Sequence, residues 1–272
     1  MISILILTQN EEANLPACLQ SVRWCDDVHV VDSGSTDATV SMAKAAGAHV
    51  YSNPFASFGQ QRNWALSHAA IRYDWILFLD ADERSTPEFQ EALLAAVASA
   101  PTTTAGFYCC WKMMLEECWL KHCDSFPKWQ FRVLRRGRAT FTDFGHGQKE
   151  GVVEGEIGYI REPYLHFAFA TGWARWLARH NRYSDLEARD RLDAAVQWRD
   201  VFSKHGSTRN KALKPLVSRL PGWPLGFFLI RYFLKLGFLE GRPGFVYCVN
   251  MAYYEFLIRI KMEELRRKRA QR

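Results

Sequence analysis

Apolar residues in the first hundred positions fall into short runs, at 2–7, 28–31, 48–51 and 75–79. The runs are rich in β-branched or aromatic members and too short for ordinary helices, which predicts strands buried on both faces, as inside a parallel sheet. Stretches of helical length separate them, at about 12–22, 39–46 and 60–70. Asn10 is placed to cap the first, with acidic residues in its opening turn. Thr86 caps and Pro87 opens a further helix that runs to about residue 99. Strands alternating with helices on this scale imply an α/β fold with right-handed crossovers.

After Pro101 the strict alternation is lost. Residues 105–111 read as a strand, and 124–138 as a loop with a short strand rich in Arg and Trp. From 171 to about 198 the pattern is helical, with Trp173, Trp176, Leu177, His180 and Tyr183 recurring at steps of three and four. Such a stripe is a packing face, so His180 is read as a packed histidine and not as a ligand. From Gly222 the chain turns apolar and aromatic over 223–239 and 245–260. Arg231 and Lys235 interrupt the first run, and Asn250, Glu255 and Arg259 the second. Neither supplies the roughly 20 nearly uncharged residues of a spanning helix. Arg231 and Lys235 are four apart on one helical face, which suits amphipathic helices lying in the headgroup region and joined at 241–244. The alternative is a helix pair packed on the α/β domain with a solvated tail.

The chain has 272 residues, 48% of them apolar, enough for one large domain plus an appendage. Its net charge of +6 is concentrated at the end, where residues 259–272 hold seven Lys or Arg against two Glu. The remainder is nearly neutral, which argues against a nucleic-acid-binding core. Anionic lipids attract such a basic end by about 1 kcal/mol per charge. Seven cysteines, odd in number and without a CxxC pair, indicate a reducing compartment with free thiols. The spacing of Cys118, His122 and Cys123 fits no closed zinc pattern. Met1 leads straight into the first apolar run with no basic lead, so no secretory signal is read and the expected location is cytoplasmic.

The chemistry centres on the run at 75–79 and the acidic stretch directly after it, Asp80-Ala81-Asp82-Glu83. If the extended path continues, the carboxylates of Asp80 and Asp82 point to one side at the carboxyl edge of the sheet, where open α/β sheets bind ligands. Two like charges so close are tolerated beside a divalent cation. Oxygen ligands suit Mg2+ or Mn2+, which keep water and phosphate oxygens as their other ligands. The alternative is a strand-end turn in which Asp bonds its own backbone. Polar residues also follow the other strands, at 8–11 and 32–37, which brings three such loops to one edge. Asp32 has its own alternative as a turn residue next to Gly34. No GxGxxG follows the first strand, which disfavours a dinucleotide fold. A nucleotidyltransferase would need a Gly-rich basic loop there, and Thr8-Gln9-Asn10-Glu11 is not one. A non-catalytic membrane adaptor that kept the fold would be marked by loss of the Asp pair, which is intact.

Four motifs in order carry a resemblance: Ile-Leu-Thr-Gln-Asn-Glu-Glu at 6–12, Val-Asp-Ser-Gly-Ser-Thr-Asp at 31–37, Gly-Gln-Gln-Arg-Asn-Trp-Ala at 59–65 and Leu-Asp-Ala-Asp at 79–82. Through them residues 1 to about 100 resemble the nucleotide-sugar-binding half of the family 2 inverting glycosyltransferases of GT-A fold. Segments at 126–132, 135–138, 150–152 and 180–184 are similar to the branch that includes lipopolysaccharide-core β-glucosyltransferases. The resemblance implies a GT-A (Rossmann-like) catalytic domain over 1–170, with 1–100 binding the donor and 101–170 facing the acceptor. A helical, membrane-associating region would follow over 171–272. It also implies that Thr8, Asn10 and Glu11 border base and ribose, that Asp32 contacts one of them, that Arg62 and Asn63 close over the donor, and that Asp80 and Asp82 hold ribose and metal. Arg62 has the alternative of a surface helix residue.

Inversion by direct displacement needs one carboxylate to take the proton of the acceptor hydroxyl. Glu116, Glu117, Asp124, Asp143 and Glu150 are available, and a solvated loop acid is the alternative for each. Glu150 is favoured because it lies in a polar loop directly before a strand, and Asp124 is second. Family members often carry a His-Glu pair here, whereas this chain has Lys149 before Glu150 and its histidine at His146. Gln130 and Arg132 are candidates for contacting donor phosphate or acceptor, against an amphipathic strand with Arg outward. The Gln-x-x-Arg-Trp signature of polymer-forming members does not match here. The resulting expectation is a metal-dependent transferase, peripheral on the inner face of the cytoplasmic membrane. It would take a UDP-sugar donor and a lipid-linked or membrane-associated saccharide acceptor of surface-glycan assembly.

Overall fold

The computed structural model describes residues 1–144, 147–194, 198–203 and 206–271. The chain forms two compact units, one of Met1–Trp119 with Phe126–Gly172, the other of Leu120–Ser125 with Trp173–Arg272.

In the first unit, β1 (Ser3–Thr8), β2 (Val28–Asp32), β3 (His49–Ser52) and β4 (Trp75–Asp80) pair in parallel in the order β3-β2-β1-β4. The helices between and after them are α1 (Leu15–Ser21), α2 (Thr39–Ala45), α3 (Phe58–His68) and α4 (Pro87–Ser99). β1 and β4 are apolar without alternation because both faces are covered. Ile4, Ile6, Leu77 and Leu79 pack with Leu15 and Phe89. Leu5, Leu7, Ile76 and Phe78 face the other way, toward Ala65 and Phe141. Burying each such side chain contributes roughly 1.5–3 kcal/mol.

The sheet continues through β8 (Trp129–Arg135), β6 (Thr104–Leu115), β11 (Glu156–His166) and β5 (Glu83–Arg84). β8 is antiparallel to both β4 and β6, β11 runs parallel to β6, and β5 is antiparallel to β11. A short β7 (Cys118–Trp119) folds back on the end of β6. β9 (Ala139–Phe144) and β10 (Gly147–Val153) form a separate antiparallel pair. This is the GT-A-type α/β architecture expected, with a helical carboxyl-terminal region.

Two local expectations are corrected. Asn10 does not cap the first helix, which begins at Leu15. It adopts a left-handed φ of 55° and its side chain accepts from Thr36 N at 2.8 Å, tying two loops together. Glu150 lies inside β10, opposite Phe141, and not in a loop. Thr86 caps α4 as expected, accepting from Phe89 N at 3.1 Å.

The second unit holds α5 (Trp173–Asp193), α6 (Trp198–Val201), α7 (Gly206–Val217), α8 (Trp223–Leu229) and α9 (Gly241–Ala270). A π-helical turn, Ile230–Leu234, and a 3-10 turn, Gly237–Glu240, connect the last two. α5 and α9 are joined by a buried two-pronged pair, Arg191 to Glu255 at 2.6 and 2.9 Å, and Glu255 also accepts from Trp223 Nε1 at 2.9 Å. His180 stacks on Trp176 at 3.6 Å and meets Tyr254 edge-on, which makes it a packed residue. Among the described residues, no helix is long and apolar enough to cross a membrane.

Candidate active site

The carboxyl end of β4 does not run on extended. Asp80 N donates to Glu83 Oε2 at 2.9 Å, and the chain reverses through Ala81 and Asp82 into β5, whose Glu83 and Arg84 pair with His166 and Leu165 of β11. The reversal sends the two aspartates to different partners. Asp82 Oδ2 lies 3.4 Å from His166 Nε2. Both oxygens of Asp80 are taken by guanidinium groups, Oδ1 by Arg62 at 2.9 Å and Oδ2 by Arg132 at 2.8 Å.

Arg62 comes from α3 and Arg132 from β8, and both are buried. Arg132 also pairs with buried Glu83 at 2.5 Å and donates from Nε to the Tyr164 hydroxyl at 3.2 Å. Arg62 lies over the rings of Phe78 and Phe141, at 5.0 and 5.6 Å. With its amide oxygen turned to the donors, Gln148 of β10 accepts from Arg62 Nε at 3.1 Å and from Gln130 Nε2 at 2.9 Å. Two guanidiniums thus neutralise two carboxylates in a cluster where Arg62, Arg132 and Glu83 are buried and Asp80 is half-buried, and buried charges of this kind are tolerated only as partners.

The protonation states follow from that enclosure. Burial opposes the Asp80 charge, but Arg132 and Arg62 outweigh it and hold the carboxyl far below its ordinary range. Burial pushes the Glu83 carboxyl up to about 7, against the pull of Arg132. For His166 burial disfavours the cation, yet Asp82 more than offsets this and raises its pKa.

The loops at 8–12 and 32–39 are brought together. Asp32 accepts from Gly34 N and Ser35 N, both at 2.9 Å, and from the Thr8 hydroxyl at 3.3 Å. Glu11 accepts from Asn14 Nδ2 at 2.7 Å and donates its N–H to Thr39. Asn63 spends both ends of its amide on the backbone of Phe141, which fastens α3 to β9. Asp143 accepts from Ser57 Oγ at 2.7 Å and Gly59 N at 2.9 Å, at the start of α3. Glu150 lies two residues beyond Gln148, on the same side of β10. Asp124 belongs to the second unit, buried and accepting from the Tyr247 hydroxyl at 2.5 Å. His146 lies outside the described residues.

Arg132 is not the outward arginine of an amphipathic strand, since it is buried against Asp80 and Glu83. Glu83, Gln148, Tyr164 and His166 join the cluster without having been singled out from sequence. For Glu83 a signal existed, a third acid within the stretch that holds the Asp pair. His166 and Tyr164 reach it only through pairing of β11 with β6 and β5.

Residues 3–148 match the model of Glycosyl transferase family 2. The chain belongs to that family. This family 2 glycosyltransferase is 26% identical over 268 residues to the lipopolysaccharide core biosynthesis glycosyltransferase LpsC of Rhizobium meliloti, covering 96% of this chain and 91% of LpsC. It is 28% identical over 274 residues to an uncharacterized glycosyltransferase of Rickettsia typhi, with 97% and 87% covered. Among solved structures, S. aureus TarS 1-349 in complex with UDP-GlcNAc is similar, with a TM-score of 0.50, 15% identity and coverage of 98% and 92%. At that identity the likeness is one of fold.

Proposed function

We propose that this family 2 glycosyltransferase moves a sugar from a UDP-sugar to a membrane-anchored saccharide, with inversion at the anomeric carbon. The lipopolysaccharide core is the acceptor class suggested by the likeness to LpsC. The observation that carries the reading is Asp80 held between two buried arginines at the end of β4, with Asp82 and His166 beside it. A nucleoside diphosphate leaves with concentrated negative charge, and fixed cations stabilise that charge without a proton donor. Arg62 and Arg132 each keep one buried nitrogen, Nη1, without a hydrogen-bond partner among the described residues. Buried donors of this kind are costly unless an acceptor meets them.

Asp82 and His166 are the residues that would hold Mg2+ or Mn2+, which when bound stabilises charge on the diphosphate. Among the described residues no three His, Cys, Asp or Glu converge on one point. Mg2+ is bound through one or two protein ligands and completes its shell with phosphate and water. Asp80, with both oxygens on arginines, orients those side chains for the diphosphate. Thr8, Asn10, Glu11 and Asp32 border base and ribose, and Asn63 holds the hairpin against α3. Glu150 takes the proton of the acceptor hydroxyl.

Isothermal titration with UDP and with GDP, in the presence and absence of Mn2+, tests the reading on the wild-type chain and Asp82→Asn. The expected result is metal-dependent UDP binding weakened on the order of tenfold or more in the variant. Absence of nucleotide binding by the wild type under every metal condition would overturn it.

A further inference from the structure

Between Trp223 and Glu240 the second unit ties its charged side chains to its own strip at 120–125 and turns many of its apolar residues outward. The segment holds three charged residues. Arg231 donates to the Cys123 carbonyl and lies over the Phe227 ring at 4.7 Å. Lys235 Nζ donates to Ser125 Oγ at 2.8 Å, and Glu240 accepts from the N–H groups of His122 and Cys123. Tyr247 adds its bond to Asp124. These bonds clamp the strip Leu120–Ser125 to the helices, and beside exposed Lys235 the outer surface is mostly leucine and phenylalanine. Leu225 is 64% exposed, Leu234 78% and Leu239 61%, and Phe233 and Leu236 are exposed with them. The π-helical turn and the left-handed Leu236, φ 60°, break the helix at this point and let these residues project.

The same surface continues along α9. Its inner face buries Tyr247, Tyr254, Ile258 and Met262. Its outer face exposes Phe245, Val249, Tyr253, Phe256 and Ile260, at steps of four, four, three and four. These lie on one side of the helix over about 22 Å, at 1.5 Å per residue. Phe245 joins the two parts, its ring 5.9 Å from Phe228 and 5.6 Å from Tyr232. Exposed Arg242 precedes the stripe, and exposed Arg266 and Arg267 follow it.

Contiguous apolar surface of this kind marks an interaction site and not an ordinary solvated face. We propose that it inserts into the headgroup layer of an anionic lipid bilayer, with α9 lying along the surface and the projecting leucines entering the acyl boundary. Aromatic rings at the rim and a basic end match what such interfaces favour. Charge complementarity favours the bilayer, because the stripe runs into exposed Arg266 and Arg267 and begins beside exposed Arg242, which anionic lipid attracts. The proposal deepens the function above, and rests on it only for the idea that the acceptor is membrane-anchored.

Flotation of the full-length protein with vesicles tests it, using phosphatidylcholine alone and an equal mixture with phosphatidylglycerol. Wild type should float with the mixed vesicles and be released by salt. Leu234→Glu with Phe233→Glu should weaken partition on the order of tenfold or more, and Arg266→Glu with Arg267→Glu should remove the preference for phosphatidylglycerol. Both changes are at exposed positions, and UDP titration on the same preparations separates loss of this surface from loss of the transferase reading. Wild-type protein that stays with the aqueous phase at low salt, or that is a dimer in sedimentation whose dissociation follows Leu234→Glu, would overturn the proposal.

Discussion

Arg132 holds two acids at once, Asp80 at 2.8 Å and Glu83 at 2.5 Å, in a setting where neither Arg132 nor Glu83 reaches water. Removing a buried partner leaves an uncompensated charge, so Arg132→Ala should cost about 3–5 kcal/mol. Thermal unfolding measures this, and Arg132→Met combined with Glu83→Gln should recover part of the loss. A double variant no more stable than Arg132→Ala would contradict the electrostatic account. A second cluster lies at the opposite ends of the parallel strands, where Asp27 accepts from Ser3 Oγ at 2.5 Å and stands 3.1 Å from His29. Burial lowers the His29 pKa below its ordinary 6.5, outweighing Asp27. The unfolded chain then binds this proton first as pH falls, and stability is lost from about pH 6.5 down to the lower folded value. Burial disfavours the Asp27 charge, but the Ser3, Arg72 and His29 donors prevail and lower its pKa, so its contribution is lost only in stronger acid. His29→Gln should therefore flatten the unfolding midpoint over the upper window and leave the acid limb. An unchanged slope between neutrality and pH 5 would show that His29 is not the group responsible.

At the scale of elements, α3 matters most, because it carries Arg62 and is pinned at its start from outside the helix. Asp143 of β9 accepts from Ser57 Oγ and Gly59 N, and Ser57 in turn accepts from Gln60 N at 3.2 Å. Asp143→Ala should cost about 1–2 kcal/mol through the lost cap and its charge at a helix start, lowering the melting temperature by roughly 2–8 °C. It should also weaken UDP binding, since Arg62 is set by this helix. Asp143→Asn should restore much of the stability, and if it does not, charge and not hydrogen bonding carries the effect. The parallel strands and their helices were legible in the sequence because each is a local pattern of period or capping. The pair Asp80 and Asp82 was legible as paired acids at the carboxyl edge of the sheet, but its division was not. Whether two carboxylates share one ligand depends on the reversal at Ala81–Asp82, which the pairing of β5 with β11 dictates across some eighty residues. Arg132 was ambiguous for the same reason, its side being decided by a bulge in the pairing of β6 with β8.

The whole molecule divides into a unit that holds the Asp80 cluster and a helical unit organised by another buried ion pair. Arg191 and Glu255 form two hydrogen bonds, and Glu255 also anchors Trp223, the first residue of α8. Glu187 also faces Arg191, at 3.2 Å from its Nε. Glu255→Ala should therefore cost about 3 kcal/mol, toward the low end for a broken buried pair because Glu187 still faces the charge. It should also free the start of α8, which carries the apolar surface. Differential scanning calorimetry and UDP titration together read out how far the damage spreads. If the two units unfold separately, the variant should show a lower transition for the helical unit with UDP affinity unchanged. A fall in UDP affinity matching the loss of stability would mean instead that the donor site depends on the helical unit for its integrity, and that stability cannot be assigned to the units one at a time.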